Sequence, residues 1–116
     1  MDKETVLRYF PIKRSPRFYP VRDTCILLCN NKEKINKLLK ELQHKDVYKI
    51  QKTNERVSVY FKNGDRIITF LPFDSSRGIR YTSIIIDLDM HIDKEIWQTL
   101  IVPIGIHCTQ NNIRFI

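Results

Sequence analysis

The dipeptide Asn63-Gly64 constrains the fold more than any other feature of the chain. It separates Val57-Ser58-Val59-Tyr60-Phe61, in which apolar and polar residues alternate, from a second run over Asp65 to Leu71. Glycine enters the positive-φ region without steric cost and asparagine tolerates it. Asn-Gly between alternating runs is therefore the strongest short-range signal for an antiparallel hairpin. The chain must contain a sheet, and part of that sheet must be antiparallel.

The flanking segments alternate strand and helix patterns. Thr24 to Leu28 is a compact apolar run that predicts a strand buried on both faces. Asn30-Asn31 follows, with Glu33 in the capping-box position, and Ile35, Leu38, Leu39 and Leu42 then recur as one helical stripe with Lys32, Lys34, Lys37 and Lys40 off it. Val47 to Gln51 predicts a strand before the hairpin, and Tyr81 to Asp87 another after it. Asp93 is placed to cap a helix whose Ile96, Trp97, Leu100 and Ile101 face inward until Pro103 stops it. A last strand is expected within Ile104 to Cys108 or Asn112 to Ile116. At the other end, Asp2 to Phe10 predicts a short helix, and Pro11, Pro16 and Pro20 make the stretch up to Arg22 an extended arm. The expected fold class is α/β. It is a single-domain mixed sheet with an antiparallel hairpin and about two packed helices, comprising a basic helix and arm over residues 1–22 and a core over 23–116.

Composition narrows the partners. The 116 residues are 42% hydrophobic and 28% charged, which is globular rather than disordered. The apolar runs around Cys25 to Cys29 and Ile84 to Ile86 are too short to cross a bilayer, and the acidic first residues do not make a signal peptide, so an intracellular, cytoplasmic protein is expected. Three cysteines, an odd number, fit buried thiols in a reducing compartment. A net charge of +7 favours an anionic partner, of which nucleic acid is the commonest. The candidate nucleic-acid-binding residues are Arg14, Arg17 and Arg22 on the arm, interleaved with Phe18 and Tyr19, together with Lys34 and Lys37 on the helix. The plainer alternative is an arm that covers the sheet and a solvated lysine face.

Asp87, Asp89 and His91 form the densest polar constellation. Alternate residues of an extended chain share a face, so the three could converge on a divalent cation such as magnesium, with Glu95 as a further ligand. This is the alternative functional reading, a small metal-dependent nuclease. The ordinary reading is that these acids end a strand, cap the next helix and pair with Arg77 or Arg80. Nothing local marks Cys25, Cys29 or Cys108 as activated beside His44, His91 or His107, and their spacing does not suit zinc.

The stretch Ser76-Arg77-Gly78-Ile79-Arg80-Tyr81-Thr82-Ser83-Ile84-Ile85-Ile86-Asp87, followed by Ile92, Glu95-Ile96-Trp97 and Pro103, resembles the centre of a phage large terminase ATPase domain, a family related to helicases. There an Arg-Gly-x-Arg turn precedes an apolar strand that carries the magnesium-binding acid. The resemblance makes Arg77, Gly78, Arg80 and Asp87 the motif positions and extends, less specifically, back to the hairpin and to Cys25 through Leu42. Two departures limit what it implies. With Gly64, Gly78 and Gly105 its only glycines, the chain has no G-x-x-x-x-G-K-[ST] phosphate loop, and Leu88 stands where the catalytic glutamate should follow Asp87. The implied protein is a reduced motor core without bound cofactor. It would be a non-catalytic, phage-type accessory or inhibitor that binds DNA or a nucleic-acid-processing protein through basic surfaces. A third possibility is an oligomerisation module using a sheet edge or Ile113, Phe115 and Ile116.

Overall fold

The computed structural model describes residues 1–13, 23–42, 46–53, 56–70, 79–105 and 108–116. Helix α1 covers Lys3–Arg8, and Asp2 caps it by accepting a hydrogen bond from the Glu4 amide. Strand β1, Thr24–Leu28, leads within three residues into helix α2, Lys32–Leu42. The Asn31 side chain accepts from the amides of Glu33 and Lys34, satisfying two of the donors that a helix start leaves open. Strands β2, Val47–Lys52, β3, Val57–Phe61, and β4, Arg66–Thr69, form the antiparallel part. Four residues, Lys62 to Asp65, join β3 to β4, and three of them lie inside the closing pair, in which Phe61 N–H donates to Asp65 C=O and Gly64 N–H to Phe61 C=O. Gly64 has φ of +94°, the left-handed position that a three-residue hairpin requires. The expected hairpin is thus present, with a bulged loop.

Strand β5, Ser83–Ile86, precedes the second helical region, which is the least regular element. Only Lys94–Ile96 is α-helical (α3); Trp97–Ile101 widens into π turns and Val102–Ile104 tightens into a 3₁₀ turn. Pro103 has no N–H to continue the α pattern, and the widened turns bury both Trp97 and Ile101. The last strand is β6, Ile113–Phe115, after a 3₁₀ turn at Gln110–Asn112.

These strands make one six-stranded mixed sheet in the order β2-β3-β4-β1-β5-β6. β1 lies parallel to β4 and to β5, and β5 parallel to β6, while β2, β3 and β4 are antiparallel neighbours. Side-chain alternation divides the core. On one face Leu38, Leu39 and Leu42 of α2 cover Leu27, Cys29, Val59 and Ile85. On the other, Val6 and Phe10 pack with Trp97 and Ile101 over Ile26, Leu28, Ile84 and Ile86. Tyr9 stacks on Trp97 at 5.8 Å and Phe10 meets its edge at 6.1 Å, so the N-terminal helix is part of the core. Ile113 and Phe115 join this second layer and Ile116 the first. A sheet between two helical layers is the α/β architecture expected from the strand and helix order.

Candidate functional site

In a parallel sheet the carboxyl ends of the strands lie at one edge, and ligand crevices open there. Here that edge brings together the chain just beyond β1, the first turn of α2 and the chain just beyond β5. Asp87 follows β5 directly. Its amide donates to the Leu28 carbonyl at 2.9 Å, and alternation sends its side chain to the α2 face, where it is almost wholly buried. Lys34, in the first turn of α2, places its Nζ 2.5 Å from Asp87 Oδ1 and 2.8 Å from Asp89 Oδ2. The Asp89 amide donates to Asp87 Oδ1 at 3.0 Å, and the Cys29 thiol lies 3.5 Å from Asp87 Oδ2.

The electrostatics follow from these contacts. Burial pushes the Asp87 carboxyl up, but the Lys34 ammonium, the Asp89 amide and the Cys29 thiol outweigh it and hold the group below the ordinary carboxylate range. Hydrogen bonds to Asp87 and then Asp89 raise Lys34 above its ordinary value. Burial, reinforced by the neighbouring Asp87 charge, raises Cys29, so its sulfur is a protonated donor rather than a nucleophile. The Asp87 carboxylate and the Lys34 ammonium thus hold each other in their charged forms.

The structure therefore unites Asp87 with Asp89, and leaves His91 apart. His91 lies on the surface with its Nε2 3.4 Å from Asp93, each side chain at least three-quarters exposed, and Glu95 is also exposed. Among the described residues no group of three His, Cys, Asp or Glu side chains is placed to hold a metal ion. The place a cation would take between Asp87 and Asp89 is filled by Lys34. Among the described residues the partner of Asp87 and Asp89 is a lysine; of the two arginines the sequence had offered, Arg80 is exposed and outside the cluster, and Arg77 lies outside the described residues.

Of the candidate nucleic-acid-binding residues, Lys37 is exposed on α2, whereas Lys34 is committed to the two carboxylates. Arg14, Arg17 and Arg22, and the motif positions Arg77 and Gly78, lie outside the described residues, as do His44 and His107. Cys25, Cys29 and Cys108 form no disulfide among the described residues. Sequence reasoning missed the role of Lys34 because periodicity puts it on the polar side of α2. The available signal was its position three residues after the cap Asn31, in the turn that must sit beside the end of β1. No described helix is long and apolar enough to cross a membrane. Comparison of the chain with protein-family models, with curated proteins and with solved structures found no match.

Proposed function

We propose that this chain is a non-catalytic nucleic-acid-binding protein that acts through its basic surfaces, as an accessory or inhibitor of DNA processing. The observation that carries this reading is the contrast between its two kinds of cation. Lys34 is spent on neutralising carboxylates at the strand ends, where a motor would hold magnesium. Lys37 and Lys40 on α2, Lys49 and Lys52 on β2, and Lys62 in the hairpin are exposed and make no ion pair among the described residues. Unpaired surface cations on a chain of net charge +7 favour a polyanion, whose condensed counterions are released on binding. The resemblance of Arg77 through Pro103 to a phage motor core points to the same class of partner, in an intracellular setting.

Fluorescence anisotropy with single- and double-stranded DNA across a salt series, with and without magnesium, tests the proposal. The expected result is binding without cleavage, weakening as log salt rises by about 0.7 to 0.9 log units per phosphate contacted. Absence of binding at low salt would overturn it and leave a protein partner as the explanation.

One observation favours a second reading. The carboxylates of Asp87 and Asp89 meet at a single point, as ligands of a divalent cation do. On this reading Asp87 and Asp89 would hold magnesium or manganese in the place Lys34 Nζ takes, and the ion would supply Lewis-acid chemistry there. Metal-dependent cleavage of the labelled DNA, lost in Asp87→Asn, would establish it in place of the first.

A further inference from the structure

Strand β2 is an outer edge of the sheet, so one side of its backbone has no strand of the sheet beside it. The Thr53 amide donates to the Arg56 carbonyl at 2.8 Å, which turns that residue toward β3. Alternation turns Gln51 the same way and points the N–H and C=O groups of Ile50 and Lys52 outward. The side chains divide between the two faces. Ile50 and Lys52 pair with Val59 and Val57, which belong to the α2 layer, and alternation puts Tyr48 with them. Lys49 pairs with Tyr60 and takes the opposite face. Although Tyr48 and Ile50 lie on the α2 side, they are 74% and 40% exposed, two of the three large hydrophobic side chains left so open among the described residues. An edge that only had to resist pairing would carry charge at these positions as well.

We propose that the β2 edge takes up an acidic, extended segment of a partner protein as an added strand. The segment's main chain pairs with Ile50 and Lys52, its apolar side chains lie on Tyr48 and Ile50, and its carboxylates meet Lys49 on one face and Lys52 on the other. Two other occupants match these groups less well. A second copy sets Lys49 and Lys52 against lysines. A nucleic-acid strand lying on one face reaches one lysine without the other and leaves the outward backbone groups unmatched. An extended polypeptide alternates its side chains, so it reaches both lysines while supplying the donors and acceptors that the edge lacks. The proposal is independent of the nucleic-acid reading, which Lys37, Lys40 and Lys62, all exposed, carry without β2.

The test uses the full chain and an end-blocked, fluorescein-labelled peptide, Thr-Glu-Val-Val-Glu-Thr, whose order of acidic and apolar residues is the same in both chain directions. One control peptide replaces both glutamates with lysine, and another methylates both valine amides. Anisotropy reads affinity, and NMR of the isotope-labelled protein reads which amides move. The glutamate peptide is expected to bind and to shift the amides of Tyr48 through Lys52. Methylation removes the peptide donor that faces β2, and Ile50→Pro removes an outward donor at an edge, where proline is tolerated. Either change should abolish binding, and the methylated peptide decides the point should Ile50→Pro lower the melting temperature. Lys49→Glu/Lys52→Glu keeps the edge self-repelling. It should weaken the glutamate peptide by roughly 2- to 30-fold, the range for two cross-strand ion pairs, and bind the lysine peptide in its place. Equal binding of the glutamate and lysine peptides by the parent would overturn the acidic assignment. Binding that survives methylation would overturn strand addition. A glutamate peptide that leaves the β2 amides unmoved overturns the proposal outright; if oligo(dT) moves them instead, the edge belongs to nucleic acid and that reading stands.

Discussion

A carboxyl group at the end of a buried strand must either stay protonated or find a cation, since its charge is expensive away from water. Asp87 finds Lys34, and the pair's contribution has a definite pH profile. The folded pKa of Asp87 is depressed, so its contribution is complete above the ordinary value of 3.8 and is lost as pH falls through the lower folded value. Lys34 is raised, so its contribution is complete below its ordinary 10.5 and is lost as pH climbs through the folded value. The pair therefore supports the fold across the neutral range. Lys34→Met should lower the melting temperature at pH 7 by several degrees, because a buried carboxylate loses its counter-ion. In an Asp87→Asn background the same substitution should cost much less, and this variant should also lose part of the acid-side decline in stability. Equal costs of Lys34→Met in both backgrounds, read from thermal melts, would show that the pair is not coupled.

At the scale of elements, the hairpin shows how local sequence can dictate geometry. Gly64 sits at φ of +94°, where an L side chain costs roughly 1–2 kcal/mol, so Gly64→Ala should destabilise the protein by about that much in denaturant titration. A change below about 0.3 kcal/mol would mean that the loop relaxes to another turn type. Elements governed by such local chemistry were legible from sequence. The cap Asn31, the stripe Ile35, Leu38, Leu39 and Leu42, and the alternation around Asn63-Gly64 each specify a structure within a few residues. The region after Asp93 was less legible. Its spacing of Ile96, Trp97, Leu100 and Ile101 suits an α-helix, but burial of Trp97 beneath Tyr9 and Phe10, nearly ninety residues away, together with Pro103, selects the wider turns. The candidate site was half legible for the same reason. Asp87 and Asp89 stood out together in the sequence, but a turn after β5 joins them rather than strand alternation, and their cation lies more than fifty residues earlier in the chain. His91 departs because the chain turns after Asp87, where the Met90 amide bonds the Asp87 carbonyl at 3.1 Å, and the alternation of an extended strand ends.

For the whole molecule, the two sheet edges decide whether it remains alone. An unprotected edge offers unpaired backbone groups to another copy, and closing this sheet on itself is excluded by its two helical layers. The β6 edge is three residues long, and its Ile113 and Phe115 are drawn into the core rather than offered to a partner. Its outward residue Arg114 is tied to Glu41 of α2 at 3.0 Å. The β2 edge is longer, but it carries Lys49 and Lys52, and its register shifts between Val47 and Lys49, which interrupts the regular ladder. Two copies meeting edge to edge at β2 would set these lysines against their counterparts, a repulsion that salt screens only in part. The chain should therefore be a monomer of 13.9 kDa at micromolar concentration by light scattering, with a mass that does not rise with concentration. Lys49→Thr/Lys52→Val supplies strand-forming side chains and removes the repulsion, so that variant should shift toward dimer or larger species as concentration rises. A parent chain that already dimerises, with a mass unchanged by these substitutions, would place the contact elsewhere and assign the lysines to ligand binding alone.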